Sequence, residues 1–376
     1  MRIFQVCDDR GIAPGGSKGA AAHLRAVARA FMDTGNDVHL FLRRLEPASE
    51  DLKGIPVRPL EATETLTDAA AMLGRPNLIY ERYSLGGTKG LEASTLLGCP
   101  LVLEVNAPLV AETRHFRPQR LRPEHERIEE HLFRQATWVV TVSEPLRRHV
   151  AAIRGGDEGV IVIPNGCDPT LYPRPADPGA RAPLRIVFLG NPKPWHGAET
   201  LPSLVADLRA EGHAVELLVI GGGPGADHIR ACAQDLGVAA CVHITGEVSQ
   251  REAARHLTTA TILAAPYPRH EFFYFSPLKI VEAMAAGLPV VTTDQGDLSA
   301  LLDDCGILVP PDDPVAFRRA VADLLQDPDE RARLGHRARM RALAKLSWTQ
   351  AVWTLMQHVD GVVPQDSDSS PCSEHR

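Results

Sequence analysis

Residues Ser276 to Thr293 read SPLKIVEAMAAGLPVVTT. Ser276 has the side chain of a helix cap, and Pro277 suits the first helical position. The spacing predicts a helix over Pro277–Ala286. Gly287 is a natural stop, and Pro289–Thr293 is an apolar strand. The amides at the start of such a helix have no partner within it. They carry the positive end of the helix dipole, so they suit an anion such as a diphosphate. Lys279 adds a possible full charge at that end. Glu282 follows about one and a half turns from Ser276, and its carboxylate can accept from both hydroxyls of a ribose diol. The small Ala283, Ala285 and Ala286 permit close packing of helix on sheet.

The same helix-then-strand alternation extends through the whole chain. In the first half, strands are expected at 2–6, 37–42, 56–60, 77–81, 101–105, 138–142 and 160–163. Helices are expected at 18–34, 85–97, 123–136 and 144–152. Residues 168–183 (DPTLYPRPADPGARAP) hold five prolines and read as a linker. The alternation then restarts, with strands at 185–189, 215–220, 242–245, 261–265, 289–293 and 306–309. Helices are interleaved at 198–210, 226–236, 250–257, 277–286, 314–326 and 330–346. Alternation of this kind implies βαβ units and parallel sheets. The expected fold is therefore α/β, with two Rossmann-like domains at about 1–170 and 183–345. A further amphipathic helix at 346–360 crosses back toward the first domain, and the Ser/Asp-rich tail 361–376 is expected to be disordered. Ligands of open α/β sheets bind beyond the carboxyl ends of the strands, so two facing sheets would form a cleft.

The bulk numbers remove several function classes. The 376 residues are 44% hydrophobic and 23% charged, enough for two cores, and the net charge of −7 offers no general attraction to nucleic acid or acidic lipid. A basic run from Arg114 to Arg127 is interrupted by His and Glu and reads as a solvated face. It is compatible with a membrane contact without indicating one. The seven cysteines show no metal-ligand spacing and no disulfide framework, so no metal is expected and the reducing cytoplasm is the expected compartment. The N-terminus reads as a strand and not as a signal peptide, and no apolar run reaches the roughly 18 residues of a membrane span.

Residues 276–291 closely resemble the donor-site motif SPxKxxEAMAxGxPVV of the family 4 glycosyltransferases, which are retaining enzymes with the GT-B fold. The resemblance runs from Gly11 to Trp348. It implies that the helix start at Ser276, Pro277 and Leu278 holds a donor diphosphate and that Glu282 holds the ribose. Many members carry a second acidic residue eight positions before that Glu; here it is Tyr274. His270, Glu271 and the backbone of Phe275–Ser276 are the candidate replacements.

Other stretches resemble the same family. Residues 11–19 (GIAPGGSKG) narrowly miss a phosphate-binding P-loop, because Ser17-Lys18 stands where Lys-Ser is required. Continued to His23, the stretch resembles the family's GSKGAxxH loop. That resemblance implies that Gly16, Lys18 and His23 face the diphosphate and acceptor, with simple packing as the other reading of His23. Residues 188–197 (FLGNPKPWHG) resemble the loop in which members place Arg and Lys to neutralise the departing diphosphate. Here Asn191 and His196 follow Gly190 at those two positions, and Lys193 is the compensating candidate. Gly222 in GGGPG and Gly246 and Val248 in TGEV match the turns that enclose the nucleotide. Asn106 stands where many relatives have His. Glu81 and Arg82 face the cleft or form a structural ion pair. Residues 163–168 (IPNGCD) resemble the interdomain hinge.

The implied reaction is metal-independent transfer of a sugar from a nucleoside-diphosphate sugar to an unknown acceptor hydroxyl, with no cofactor. Three competing readings remain. One is another nucleotide-sugar enzyme of this fold, such as a phosphorylase or epimerase. The second is a non-catalytic nucleotide-sugar-binding partner protein. The third, a dehydrogenase, lacks a proper GxGxxG loop.

Overall fold

The computed structural model describes residues 1–16, 19–46, 52–172 and 183–359. Lys18, most of the proline-rich stretch and the tail expected to be disordered lie outside the described residues.

The first sheet is built from β1 (Arg2–Cys7), β2 (Asp37–Leu42), β3 (Val57–Pro59), β4 (Leu78–Arg82), β5 (Leu101–Val105), β6 (Trp138–Thr141) and β7 (Val160–Val162). Its spatial order is 3-2-1-4-5-6-7, and every pairing is parallel. Helices α1 (Gly19–Asp33), α2 (Glu64–Leu73), α3 (Lys89–Leu97), α4 (Leu109–Phe116), α5 (Pro123–Gln135) and α6 (Glu144–Arg154) cover it. The second sheet contains β8 (Leu184–Leu189), β9 (Val215–Ile220), β10 (Val242–Ile244), β11 (Ile262–Ala265), β12 (Val290–Thr293) and β13 (Ile307–Val309). Its order, 10-9-8-11-12-13, repeats the first sheet's pattern, again all parallel. It is covered by α7 (Leu201–Ala210), α8 (Pro224–Asp235), α9 (Gln250–Leu257), α10 (Leu278–Ala285), α11 (Leu298–Leu302), α12 (Pro314–Gln326) and α13 (Pro328–Lys345).

Strands such as Ile262–Ala265 and Val290–Thr293 are wholly buried, as helices on both faces of a parallel sheet require. Each sheet accordingly separates two apolar cores. Three helices have no counterpart in the sequence expectation. α2 lacks a side-chain cap, and α4 buries only Val110, so neither has a strong local signal. α2 forms because Leu66, Ala69 and Ala70 complete a core, a tertiary gain that overrides weak propensity. The third, α11, is five residues long.

The final helix, α14 (Trp348–Val359), packs on the first sheet's side of the molecule. Trp348, Val352, Leu355 and Val359 share a core with Leu24, Val27 and Phe31 of α1. Burial of each such side chain contributes roughly 1.5–3 kcal/mol. The returning chain pairs with the outgoing one: Cys167 N donates to Leu346 O at 2.8 Å, and Trp348 N donates to Cys167 O at 3.1 Å. A Cβ on Gly166 would lie 2.8 Å from Trp348 N, so only glycine fits where the two crossings touch.

Candidate functional site

The two sheets present their C-terminal strand ends to each other. Each has one switch point, where the strand order reverses: β1/β4 in the first and β8/β11 in the second. These are the positions at which such sheets bind ligands. The loop after β1 leads into α1, and the loop after β11 leads into α10. The two helix starts meet across the cleft, for a Cβ on Gly19 would lie 3.3 Å from Leu278 Cδ1. Two positive dipole ends therefore converge.

The start of α10 differs from the sequence expectation. Pro277 is the cap position and makes no side-chain capping bond. Ser276 does not cap the helix. Its Oγ accepts from Asn165 N at 2.9 Å, and Asn165 Nδ2 donates to Ser276 O at 2.7 Å. Ser276 thus ties the helix start to the interdomain segment, and the amides of α10 keep no side-chain partner from it.

Around this point the loops of the second sheet interlock. Gly190 and Gly246 have φ of 103° and 77°, a region that glycine enters without strain. Asn191 Oδ1 accepts from Gly222 N at 2.9 Å, and its Nδ2 donates to Glu247 Oε1 at 3.3 Å. One side chain therefore joins the turns after β8, β9 and β10. Val248 packs on the adjoining core. Glu282 accepts from Gln250 Nε2 at 3.2 Å and from the Tyr172 hydroxyl. Burial raises its pKa, and Gln250, Tyr172 and Lys279 oppose that rise. Gln250 and Tyr172 were not singled out from the sequence. They carry no local signal, because one opens α9 and the other lies in the proline-rich stretch.

The cations divide unevenly. Lys193 is exposed. Burial, with Lys279 second, pushes the His196 pKa down to about 2, so the ring is neutral at physiological pH. Lys279 is buried at 9% exposure. Burial holds its pKa at about 7 against the raising influence of Glu282.

On the facing side His23 does not open into the cleft. Its Nε2 lies 2.6 Å from Glu104 Oε1, and its ring meets Trp348 edge-on at 4.6 Å. Glu104 also accepts from Tyr80 Oη at 2.5 Å and from Arg82 Nη1 at 3.2 Å. Arg82 is thus in a structural ion pair, with Glu104 and not with Glu81. Glu81 turns to the other face, where its Oε1 accepts from Gly90 N at 3.2 Å. Asn106 Nδ2 is buried and has no partner among the described residues. Gly16 belongs to the loop before α1, and its carbonyl accepts from Arg25 Nη1 at 3.0 Å.

Tyr274 takes the acidic position into the first domain. Its hydroxyl donates to Glu112, and its carbonyl accepts from Ser143 Oγ at 2.7 Å. Nearby, Glu144 N donates to Asp297 Oδ2 at 2.6 Å, and Phe116 meets Trp195 at 5.5 Å. His270 Nε2 lies 3.1 Å from Trp195 O. Glu271 is exposed and lines a separate cavity of about 660 Å³ with Arg148, His149, Arg269 and Asp294. His270 lines that cavity too, whereas Gly16, Gly190, Gly222, Gly246 and Glu282 do not, so Glu271 shares it with His270 and not with those residues.

Two parallel α/β domains face each other with their helix starts paired at the switch points. Residues 17–171 match the family described as Glycosyltransferase Family 4, and residues 183–327 match Glycosyl transferases group 1. Together these spans cover most of both halves, and the chain belongs to the group 1, family 4 glycosyltransferases, with the GT-B fold. A GDP-mannose-dependent alpha-(1-6)-phosphatidylinositol monomannoside mannosyltransferase of Mycobacterium tuberculosis is 32% identical over 228 residues. That match covers 56% of this chain and 59% of the relative, so the chain spans under two thirds of its length. A D-inositol 3-phosphate glycosyltransferase of Xylanimonas cellulosilytica is 25% identical, with 91% of each chain covered. Among solved structures, sucrose-phosphate synthase of Thermosynechococcus elongatus superposes with a TM-score of 0.77 at 20% identity, covering 96% of this chain and 99% of that one. Anabaena HepE in complex with UDP-glucose superposes with 0.74 at 19% identity, covering 96% and 100%.

Among the described residues, no group of three or more His, Cys, Asp and Glu side chains could hold a metal ion. No described helix is long and apolar enough to cross a membrane.

Proposed function

We propose that the chain moves a sugar from a nucleoside-diphosphate sugar to an acceptor hydroxyl, with retention at the anomeric carbon and without a metal ion. The observation that carries this reading is the meeting of the α1 and α10 starts between the two switch points. Two helix starts offer a diphosphate a set of oriented amides that needs no rearrangement as charge develops. In this reading Glu282, held by Gln250 and Tyr172, takes the ribose diol. The turns at Gly190, Gly222, Gly246 and Val248 enclose the base and ribose, and Asn191 and His196 complete their wall. Residues 1–170 supply the acceptor side, 183–345 the donor side, and 346–360 the return crossing.

The step is a substitution at the anomeric carbon. The bond from that carbon to the diphosphate oxygen breaks, and its electron pair stays on the diphosphate. The acceptor hydroxyl forms the new bond on the same face and gives its proton to the departing diphosphate. In this reading Asn106, whose Nδ2 has no partner among the described residues, donates to the incoming acceptor molecule. Relatives named for GDP-mannose and for phosphatidylinositol or inositol phosphate support a hexose donor and a polyol-type acceptor. The six described cysteines are free, which suits the cytoplasm.

The test is a donor screen with UDP- and GDP-hexoses, scored by nucleotide release and by the anomeric configuration of the product. Retention in the presence of a chelator is expected. Strict dependence on a divalent ion, or an inverted product, would sink the proposal.

A further inference from the structure

Lys279 is the second residue of α10 and sits at the β8/β11 switch point. It is 9% exposed, and its Nζ has no hydrogen-bond partner among the described residues. Nζ lies 4.1 Å from the ring centroid of Phe188 and 5.6 Å from that of Tyr267. Phe188 is near the end of β8, and Tyr267 stands two residues beyond β11. Lysines are almost never buried without a counter-charge, and cation–π contact with two rings recovers only part of the lost hydration. No described side chain hydrogen-bonds the ammonium, so the site suits an anionic ligand.

The neighbouring groups narrow what that partner is. Asn191 is uncharged, and its amide is already bonded to Gly222 and Glu247. His196 is held neutral by burial, and Lys193 projects into solvent. The charged and titratable groups that act on Lys279 or on the adjoining His196 are Glu282, His196, Lys193 and His270. Of these, only Glu282 is acidic, and Gln250 and Tyr172 already engage it. A Cβ on Gly190 would lie 3.9 Å from Lys279 Cε, so the ammonium borders the glycine loop as well as the helix start.

We propose that Lys279, and not the 191–196 loop, is the cation that receives the donor's diphosphate. This rests on the donor site proposed above and assigns its leaving-group charge to one side chain. Because burial holds the free amine near neutrality at about pH 7, the arriving diphosphate raises its proton affinity. Above that pH, binding draws a proton from solvent onto Nζ. Affinity should be greatest below about pH 7 and fall as the pH rises toward the pKa of the bound state.

Titration calorimetry at pH 8, in two buffers of different ionisation enthalpy, tests this. The probes are UDP-glucose, GDP-mannose, UDP and GDP, with uridine and guanosine as controls. Wild type should take up close to one proton per bound diphosphate. Lys279→Met should take up none and lose about 10- to 100-fold in affinity for the diphosphates, the range of a charge-assisted hydrogen bond, while nucleoside binding stays unchanged. Diphosphate affinity equal to wild type in Lys279→Met, or uptake that persists in it, overturns the assignment while leaving the donor site standing. Absence of proton uptake by wild type does the same without any variant. A wild type that binds no nucleoside diphosphate removes the donor site, and this assignment with it.

Discussion

The two sheets repeat one strand order, yet their switch points are finished in opposite ways. At β1/β4 one group of polar side chains closes on itself, although Gln5 Oε1 and Glu81 Oε2 stay buried without a hydrogen-bond partner among the described residues. His23, Tyr80 and Arg82 all converge on Glu104, and Trp348 of the returning helix covers the group. At β8/β11 the ammonium of Lys279 has no hydrogen-bond partner among the described residues. A buried ammonium without a partner is costly, and in the reading proposed above a diphosphate completes it. The same topology thus carries an internally paired carboxylate at one switch point and an unpartnered ammonium at the other. The closed side also anchors the helix that crosses back from the second domain, so internal satisfaction there steadies the hinge.

The comparison breaks most visibly at Glu104. Glu104→Ala leaves buried His23 and Tyr80 and part-buried Arg82 without their shared acceptor and should destabilise the fold by about 3–5 kcal/mol, read by chemical denaturation. A loss below about 1 kcal/mol would mean that the network is not closed. Glu104 also has a pH signature. Burial pushes its pKa up, but His23, Arg82 and Tyr80 prevail and lower it from 4.5 to about 2. Its stabilisation is complete above about pH 4.5 and is lost as the pH falls toward 2. Acid denaturation of wild type should steepen in that window, and that of Glu104→Gln should not.

In the proposed donor site, Glu282→Ala should weaken binding of nucleoside diphosphates by about 1.5–3 kcal/mol in calorimetry. Unchanged binding would remove Glu282 from the site. Asn165→Ala removes the bond to Ser276 O and should cost about 1 kcal/mol of stability. A larger loss in donor affinity than in stability would show that this tie sets the pose of α10. Lys193→Ala is expected to change donor affinity by less than about 0.5 kcal/mol, as for an exposed surface residue. A tenfold loss would return the leaving-group role to the loop.

The strands and their parallel pairing were legible because buried β-branched runs alternate with capped amphipathic helices. The missed α2 and α4 lack strong caps, and α2 forms only because a core receives it. The donor motif was legible because it is contiguous. Its supports were not: Asn165, Tyr172 and Gln250 reach Ser276 and Glu282 from other elements 32 or more residues away, and no local pattern encodes such contacts. In the sequence Tyr274 stands only as a missing carboxylate; the structure engages it with Glu112 of the facing domain.

By itself the sequence determined the α/β alternation, the placement of glycine at tight loops and the presence of Lys279 and Glu282 on one short helix. Periodicity and backbone constraint act over a few residues, so they can be read in one dimension. Tertiary structure decided which polar groups are satisfied. It turned His23 inward, took Ser276 away from capping, left Lys193 in solvent and buried Lys279 between two rings. Those outcomes depend on which distant side chains share a dry volume, and the energy of a charge depends on that volume far more than on its neighbours in the chain.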